Sequence, residues 1–227
     1  MKPTDDRRDH VPFDTRHFER LARQGVTSPM RETFEYIHRT RHWAGGDSVS
    51  GEGATDAQTR QLRAIVADVV RELGVRTLLD VPCGDFAWMR DVDLGGARYI
   101  GGDVVPALIA ERQAQDADDR HEFVVLDVTI DPLPAAVLIL CRDVFVHFSF
   151  ADIARALDNI RRSGIPRLLT TTFPDHEANE DIVTGDWRLL NLERAPFQLP
   201  PPEQLRNEGC TEGGGLYADK SLGVWRL

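Results

Sequence analysis

Four aspartates, Asp80, Asp85, Asp103 and Asp127, stand at or just past the ends of apolar runs, and Arg142, Asp143 and His147 follow another such run. Thr77 to Asp85 reads Thr-Leu-Leu-Asp-Val-Pro-Cys-Gly-Asp. An apolar strand entering a sharp turn presents backbone N–H groups at the carboxyl end of a sheet, where α/β folds receive nucleotide-like ligands. A dinucleotide would call for Gly-x-Gly-x-x-Gly, so that backbone can approach a pyrophosphate. This turn has one glycine, Gly84, with Pro82, Cys83 and Asp85 around it. Asp85 would repel a diphosphate and suits a ligand with a cationic centre and ribose hydroxyls. Tyr99-Ile100-Gly101-Gly102-Asp103 ends the next run in an acid that can accept both ribose hydroxyls or stand solvated at a strand end. Imidazole can take a proton from a hydroxyl near neutral pH, which makes His147 a candidate base. Packing among Phe145, Phe148 and Phe150 is the alternative for that ring. Arg142 and Asp143 can bind ligand groups or pair with each other.

These residues need elements to position them. Apolar runs at 75–81, 98–102, 122–127, 137–141 and 167–172 read as strands and alternate with helical segments, which predicts a doubly wound, mostly parallel α/β sheet. The clearest helix follows Thr55 and Gln58, read as a capping box, with Leu62, Ile65, Val66, Val69, Val70 and Leu73 at helical spacing before Gly74. A second runs from Phe150 to about Arg162, with Ser149 as N-cap and Gly164 as its stop. Near the N-terminus two helices are expected, the later one with Ser28 as N-cap, Pro29 at its first position, and Phe34, Ile37 and Trp43 towards one side. Residues 1 to about 11 read as disordered, and the Gly/Ser-rich stretch from Ala44 to Ala54 as a linker or a lid. The organisation read from this is an N-terminal helical extension with a cap loop, 1–54, followed by one domain, 55–227.

Composition narrows the function further. In 227 residues the net charge is −10 and the only lysines are Lys2 and Lys220, so no basic stripe exists to follow a nucleic acid. No apolar run reaches membrane length and no secretory signal is visible, so the expected location is the cytoplasm. Three widely spaced cysteines, Cys83, Cys141 and Cys210, agree with a reducing compartment.

The stretch Leu79-Asp80-Val81-Pro82-Cys83-Gly84-Asp85-Phe86 resembles the first motif of the class I S-adenosylmethionine-dependent methyltransferases, in a variant with Pro82 and Cys83 where glycine is usual. Further blocks extend the resemblance over residues 33 to 227: Trp43 with Gly46 to Gly51, Cys141-Arg142-Asp143 with His147, Thr170 to Pro174, Thr184 to Arg188 with Asn191, and Asp219 to Trp225. They are similar to a bacterial subfamily associated with polysaccharide biosynthesis, and most like its actinobacterial sugar 1-O-methyltransferases. The resemblance implies a Rossmann-like fold whose seven-stranded sheet ends in an antiparallel pair built from 203–209 and 221–227.

It also implies a site. Asp80, Pro82, Cys83, Gly84, Asp85, Phe86, Asp103, Asp127, Val128 and Cys141 would surround S-adenosylmethionine, with Trp43, Ser48 and Arg63 closing the site from the N-terminal side. The loop after the fourth strand would face the transferred methyl group, with His147 as general base and Arg142 and Asp143 beside it. Thr172, Asp175, His176, Asp186, Trp187 and Arg188 would recognise a small carbohydrate through hydroxyls, carboxylates, a guanidinium and an aromatic plane, although the same residues suit an ordinary polar loop. Mg²⁺ held by Asp143, Asp175 and His176 is conceivable, without a diagnostic ligand spacing. The aromatic N-terminal helices suit a lid, a homodimer contact, or both. Competing readings are N- or carboxyl-methylation of a small metabolite, a non-catalytic binding subunit of the same fold, and a nicotinamide oxidoreductase, the last disfavoured by the missing glycines.

Overall fold

The computed structural model describes residues 13–43 and 51–227. Ser48, the N-terminal stretch read as disordered, and most of the Gly/Ser-rich loop lie outside the described residues. Seven strands form one sheet: β1 (Thr77–Asp80), β2 (Arg98–Asp103), β3 (His121–Val125), β4 (Leu138–Cys141), β5 (Arg167–Thr172), β6 (Gln204–Asn207) and β7 (Ser221–Arg226). Their order is β3-β2-β1-β4-β5-β7-β6. The pairings among β1 to β5 are parallel, and β7 runs antiparallel to both β5 and β6. The strand order therefore switches side between β1 and β4, and the carboxyl ends of both strands open onto one crevice.

Successive side chains of a strand point to opposite faces, and the core divides accordingly. Leu78, Leu138, Leu140 and Leu169 join Leu62, Val66, Val69 and Val70 of α3 (Asp56–Glu72) on one face. Leu79, Ile139 and Leu168 join Ile153, Ala156, Leu157 and Ile160 of α5 (Phe150–Ser163) on the other. The helix α4 (Pro106–Gln115) links β2 to β3 and adds Ile109 to the first face. The central strands β1 and β4 are mostly buried because both of their faces are covered, whereas the edge strands β3 and β6 mix exposed and covered residues.

Helix signals held in part. Ser149 caps α5, its hydroxyl accepting the Asp152 amide at 3.2 Å. Thr55 flanks α3, but its side chain makes no cap; Gln58 instead donates to the Thr211 hydroxyl at 2.9 Å, drawn away by the returning tail. The N-terminal helices are α1 (His17–Arg23) and α2 (Met30–Thr40), and Pro29 takes the N-cap position assigned to Ser28. The two helices pack over the open end of the sheet rather than against its faces. Gly185 shows how close they come, since a Cβ there would lie 2.5 Å from the Phe18 ring and 2.7 Å from the Thr33 methyl.

Candidate active site

A cavity of about 440 Å³ opens where β1 to β4 end, covered by Phe13, by Met30, Phe34, Ile37 and His38 of α2, and by Trp43. Its floor is the turn after β1, with Pro82, Cys83, Gly84 and Asp85 lining it. The Cys83 amide donates to the Gly102 carbonyl at 2.8 Å and fixes the turn against β2. Glycine at 102 lets its neighbours close in: a Cβ there would stand 2.9 Å from the Leu126 Cδ2 and 3.0 Å from the Val81 Cγ2, so a larger residue would have to displace them.

Asp103 lines the cavity just past this contact. One carboxylate oxygen accepts the Val105 amide at 3.0 Å and the other the Gly84 amide at 3.3 Å. Burial pushes this carboxyl up to about 6, partly offset by those two amides. Each oxygen keeps a second lone pair, so two hydroxyls can still be accepted. Asp127 also lines the cavity; its Oδ1 takes the Thr129 amide and hydroxyl at 2.9 and 2.6 Å, and its Oδ2 has no partner among the described residues. Val128, Val105, Leu108 and Leu126 supply apolar walls between the two acids. Two acceptors separated by an apolar slot match the ribose and the exocyclic amine of an adenosine.

Beyond β4 the chain passes through Asp143, at φ 52°, into a short 3-10 turn at Phe145–His147. His147 is buried and lines the cavity. Its Nδ1 lies 2.9 Å from the Asp186 carbonyl. A carbonyl only accepts, so Nδ1 carries the proton and Nε2 is the free base. Nε2 has no protein partner among the described residues. Burial holds the ring down to about 4, against the Asp186 bond and the Asp143 charge, so it is neutral at physiological pH.

Arg188 fixes the turn that carries this ring. Its guanidinium donates to the carbonyls of Phe145 at 2.6 Å, Phe148 at 2.9 Å and Glu180 at 3.2 Å. Asp186 works on the opposite side: its carboxylate accepts the amides of Phe18 and Glu19 at 2.8 and 2.9 Å, while its carbonyl holds His147. One residue thus ties the start of α1 to the imidazole.

A buried charge cluster lines the cavity beside His147. Lys220, just before β7, donates to Asp143 at 2.7 Å, and Arg142 lies 3.2 Å from the same oxygen. Arg142 also reaches Glu208 at 3.0 Å and the Gly53 carbonyl at 3.0 Å, with its guanidinium over the Trp88 ring. Burial works against ionising Asp143, but Arg142 and Lys220 outweigh it and hold the carboxyl well below the usual range. Asp143 reciprocally raises Lys220 against its burial.

Several residues assigned to the site from sequence have other work. Asp80 is buried and accepts the Tyr99 hydroxyl at 2.7 Å; burial lifts its carboxyl to about 7, and it supports the floor from beneath. Phe86 turns down into an aromatic group with Tyr99 and Phe123, and Cys141 is sealed inside the core. Arg63 pairs with Asp56 at 2.6 Å and Asp91 at 3.8 Å on the outside of α3, not with the cavity. Thr172 is buried in β5, its hydroxyl meeting the Leu192 amide. Asp175 is exposed, its amide bonded to Asp219, and the His176 carbonyl holds Asn191. Asp186 and Arg188 point inward to backbone, so of the residues assigned to sugar recognition only Trp187 lines the cavity. The Mg²⁺ set does not fit either: the Asp143 carboxylate is held by Lys220, Arg142 and Thr171, and Asp175 and His176 lie outside the lining. Sequence reasoning gave no role to Lys220, Trp88, Glu208 or Tyr217. A lone lysine opening an apolar strand in a chain with two lysines was the available signal.

No family model matches the chain, and no curated protein matches it by sequence. Solved structures do match by shape. Human N-acetylserotonin methyltransferase, solved in complex with SAM, aligns over 91% of this chain with TM-score 0.56 and 16% identity. The fold is that of the class I methyltransferases. The chain spans 61% of the length of that human structure. The mitomycin 7-O-methyltransferase MmcR aligns over 88% of this chain and 69% of its own, with TM-score 0.55 and 17% identity. The methyltransferase domain of bacterial CtHen1 aligns over 75% of this chain and 100% of its own, with TM-score 0.55 and 12% identity. The methyltransferase fold therefore accounts for the strand order, the reversed β7 and the position of the crevice. Among the described residues no helix is long and apolar enough to cross a membrane.

Proposed function

We propose that the chain is an S-adenosylmethionine-dependent O-methyltransferase that acts on a sugar hydroxyl, most specifically the 1-hydroxyl of a short methylated mannoside that serves as a polysaccharide precursor. The observation that carries the catalytic part is the fixed tautomer of His147, a neutral imidazole that lines the cavity with Nδ1 engaged by the Asp186 carbonyl and Nε2 left without a protein partner among the described residues. Asp103 would hold the ribose, Asp127 and Val128 the adenine edge, and the Gly84 turn the methionyl end. When bound, the cofactor supplies an electrophilic methyl on a sulfonium. An alkyl hydroxyl is a poor nucleophile at neutral pH, and His147 Nε2 takes its proton as the oxygen–methyl bond forms and the methyl–sulfur bond breaks. Asp143, ionised by Lys220 and Arg142, supports the resulting imidazolium electrostatically. Trp43, Phe148, Trp187 and Tyr217 line the remaining volume, which suits the C–H faces of a pyranose while the roof excludes water.

That lining also favours a second reading. Because the polar residues expected to read a sugar lie elsewhere, the aromatic walls equally support a small planar alcohol or phenol as acceptor. A screen of acceptors with labelled S-adenosylmethionine separates the two. Methyl gain on short mannosides with none on phenols supports the sugar reading, and the reverse pattern overturns it.

A further inference from the structure

The roof places Trp43 directly on His147. Their ring centroids are 3.9 Å apart and the planes are inclined by 25°, a stacked pair. The pose is built in two steps. Arg41 ends α2 in the left-handed conformation, at φ 52°, and turns the chain back over the cavity. Phe34 of the same helix then sets its edge against the indole at 5.8 Å and against Phe148 at 5.9 Å. Among the described residues the buried indole Nε1 has no hydrogen-bond partner, so none of them supplies a polar anchor for the ring.

We propose that Trp43 is a positioning residue for methyl transfer, whose π face stabilises the imidazolium that His147 becomes when it accepts the acceptor's proton. This rests on the reading of His147 as base. An indole face attracts a cation far more than a neutral ring, so the contact strengthens as the proton arrives. An interaction made more strongly in the transition state than in the ground state raises turnover rather than binding. The charged groups facing the same imidazole are Asp143 after β4, Lys220 at β7 and Arg188 beneath it, and His38 of α2 lines the same cavity. Two of the three that act on the ring are cationic and oppose its protonation, and the Asp143 charge is shared with Arg142 and Lys220. Trp43 supplies the neutral face that tolerates the new charge. The N-terminal helices would then complete the base site as well as cover it.

The test compares Trp43→Phe, which keeps a π face, with Trp43→Leu, which keeps only bulk. On an acceptor identified by the screen, Trp43→Leu is expected to lose about 2- to 30-fold in kcat at unchanged acceptor KM, the range of a cation–π contact from exposed to desolvated, and Trp43→Phe to recover most of it. NMR titration of the labelled His147 ring should find a lower midpoint in Trp43→Leu than in Trp43→Phe. Equal kcat and equal midpoints in the two variants overturn the proposal, as does a loss confined to KM. If Trp43→Leu does not fold, Trp43→Phe against wild type and the titration still decide: a histidine midpoint or kcat displaced as far as expected for a lost π face would contradict the proposal. Failure of the underlying reading looks different, because His147→Ala would then turn over at the wild-type rate.

Discussion

Replacing Arg188 by methionine separates the two opposing effects of a buried guanidinium. Three charge-assisted hydrogen bonds to the carbonyls of Phe145, Phe148 and Glu180 disappear. At about 1.5–3 kcal/mol each they would sum to about 5–9 kcal/mol. Two of those carbonyls are partly rescued: the Phe145 oxygen keeps the Phe148 amide, and Glu180 is an exposed residue that water can reach. The low end, about 5 kcal/mol, is therefore the relevant figure. Against it stands the cost of burying the charge, which brings Arg188 down to about 10 from 12.5. That shift corresponds to about 3 kcal/mol that the methionine recovers. The net expectation is a destabilisation of about 2 kcal/mol, read as a lower midpoint in urea at unchanged m-value. Because the clamp grips the His147 turn and not the Asp103 or Asp127 acceptors, cofactor affinity should stay within a few-fold while turnover falls. A variant as stable as wild type, or one that loses cofactor affinity and turnover together, would refute the assignment of Arg188 to the turn.

Three other outcomes follow from the cavity. Asp103→Asn leaves one acceptor where two amides and the ribose are served, so calorimetric titration should show cofactor affinity weaker by about 30-fold or more, an unsatisfied donor costing about 2 kcal/mol or above. Lys220→Met strips Asp143 of its nearest cation; with Arg142 still at 3.2 Å the loss should be near 3 kcal/mol, the low end for a broken buried pair, measurable by denaturant unfolding. At saturating cofactor, turnover should persist as pH falls through 6.5 and fail only on approach to about 4, where His147 protonates, whereas cofactor affinity should decline below about 6 as Asp103 protonates. An acid limb of kcat at 6.5 would contradict the buried neutral imidazole.

The strands and their acidic ends were readable because each is a local pattern: an apolar run, a glycine turn, an aspartate. Asp103 and Asp127 both line the cavity, the first expected from its place at a strand end and the second from the resemblance as well. The base cluster was harder to read, since Arg142 and Asp143 follow β4, Glu208 follows β6 and Lys220 precedes β7, and only the sheet order brings them together. Asp186 and Arg188 were placed on the acceptor side because a polar loop does not declare which way its side chains turn. In the fold they face inward, one to the amides of α1 and the other to the carbonyls around His147. Gln58 illustrates the same limit at smaller scale, with a capping signal overridden by a tertiary partner, Thr211.

On the proposed function, this cavity transfers a methyl group to a hydroxyl with His147 as the proton acceptor. Single-turnover transfer of labelled methyl from S-adenosylmethionine, wild type against His147→Ala, tests it most directly when cofactor affinity is measured on the same samples. The wild type should form the methyl ether and the variant should lose roughly 10²- to 10⁴-fold, with cofactor binding retained. Equal transfer rates in the two proteins would contradict it.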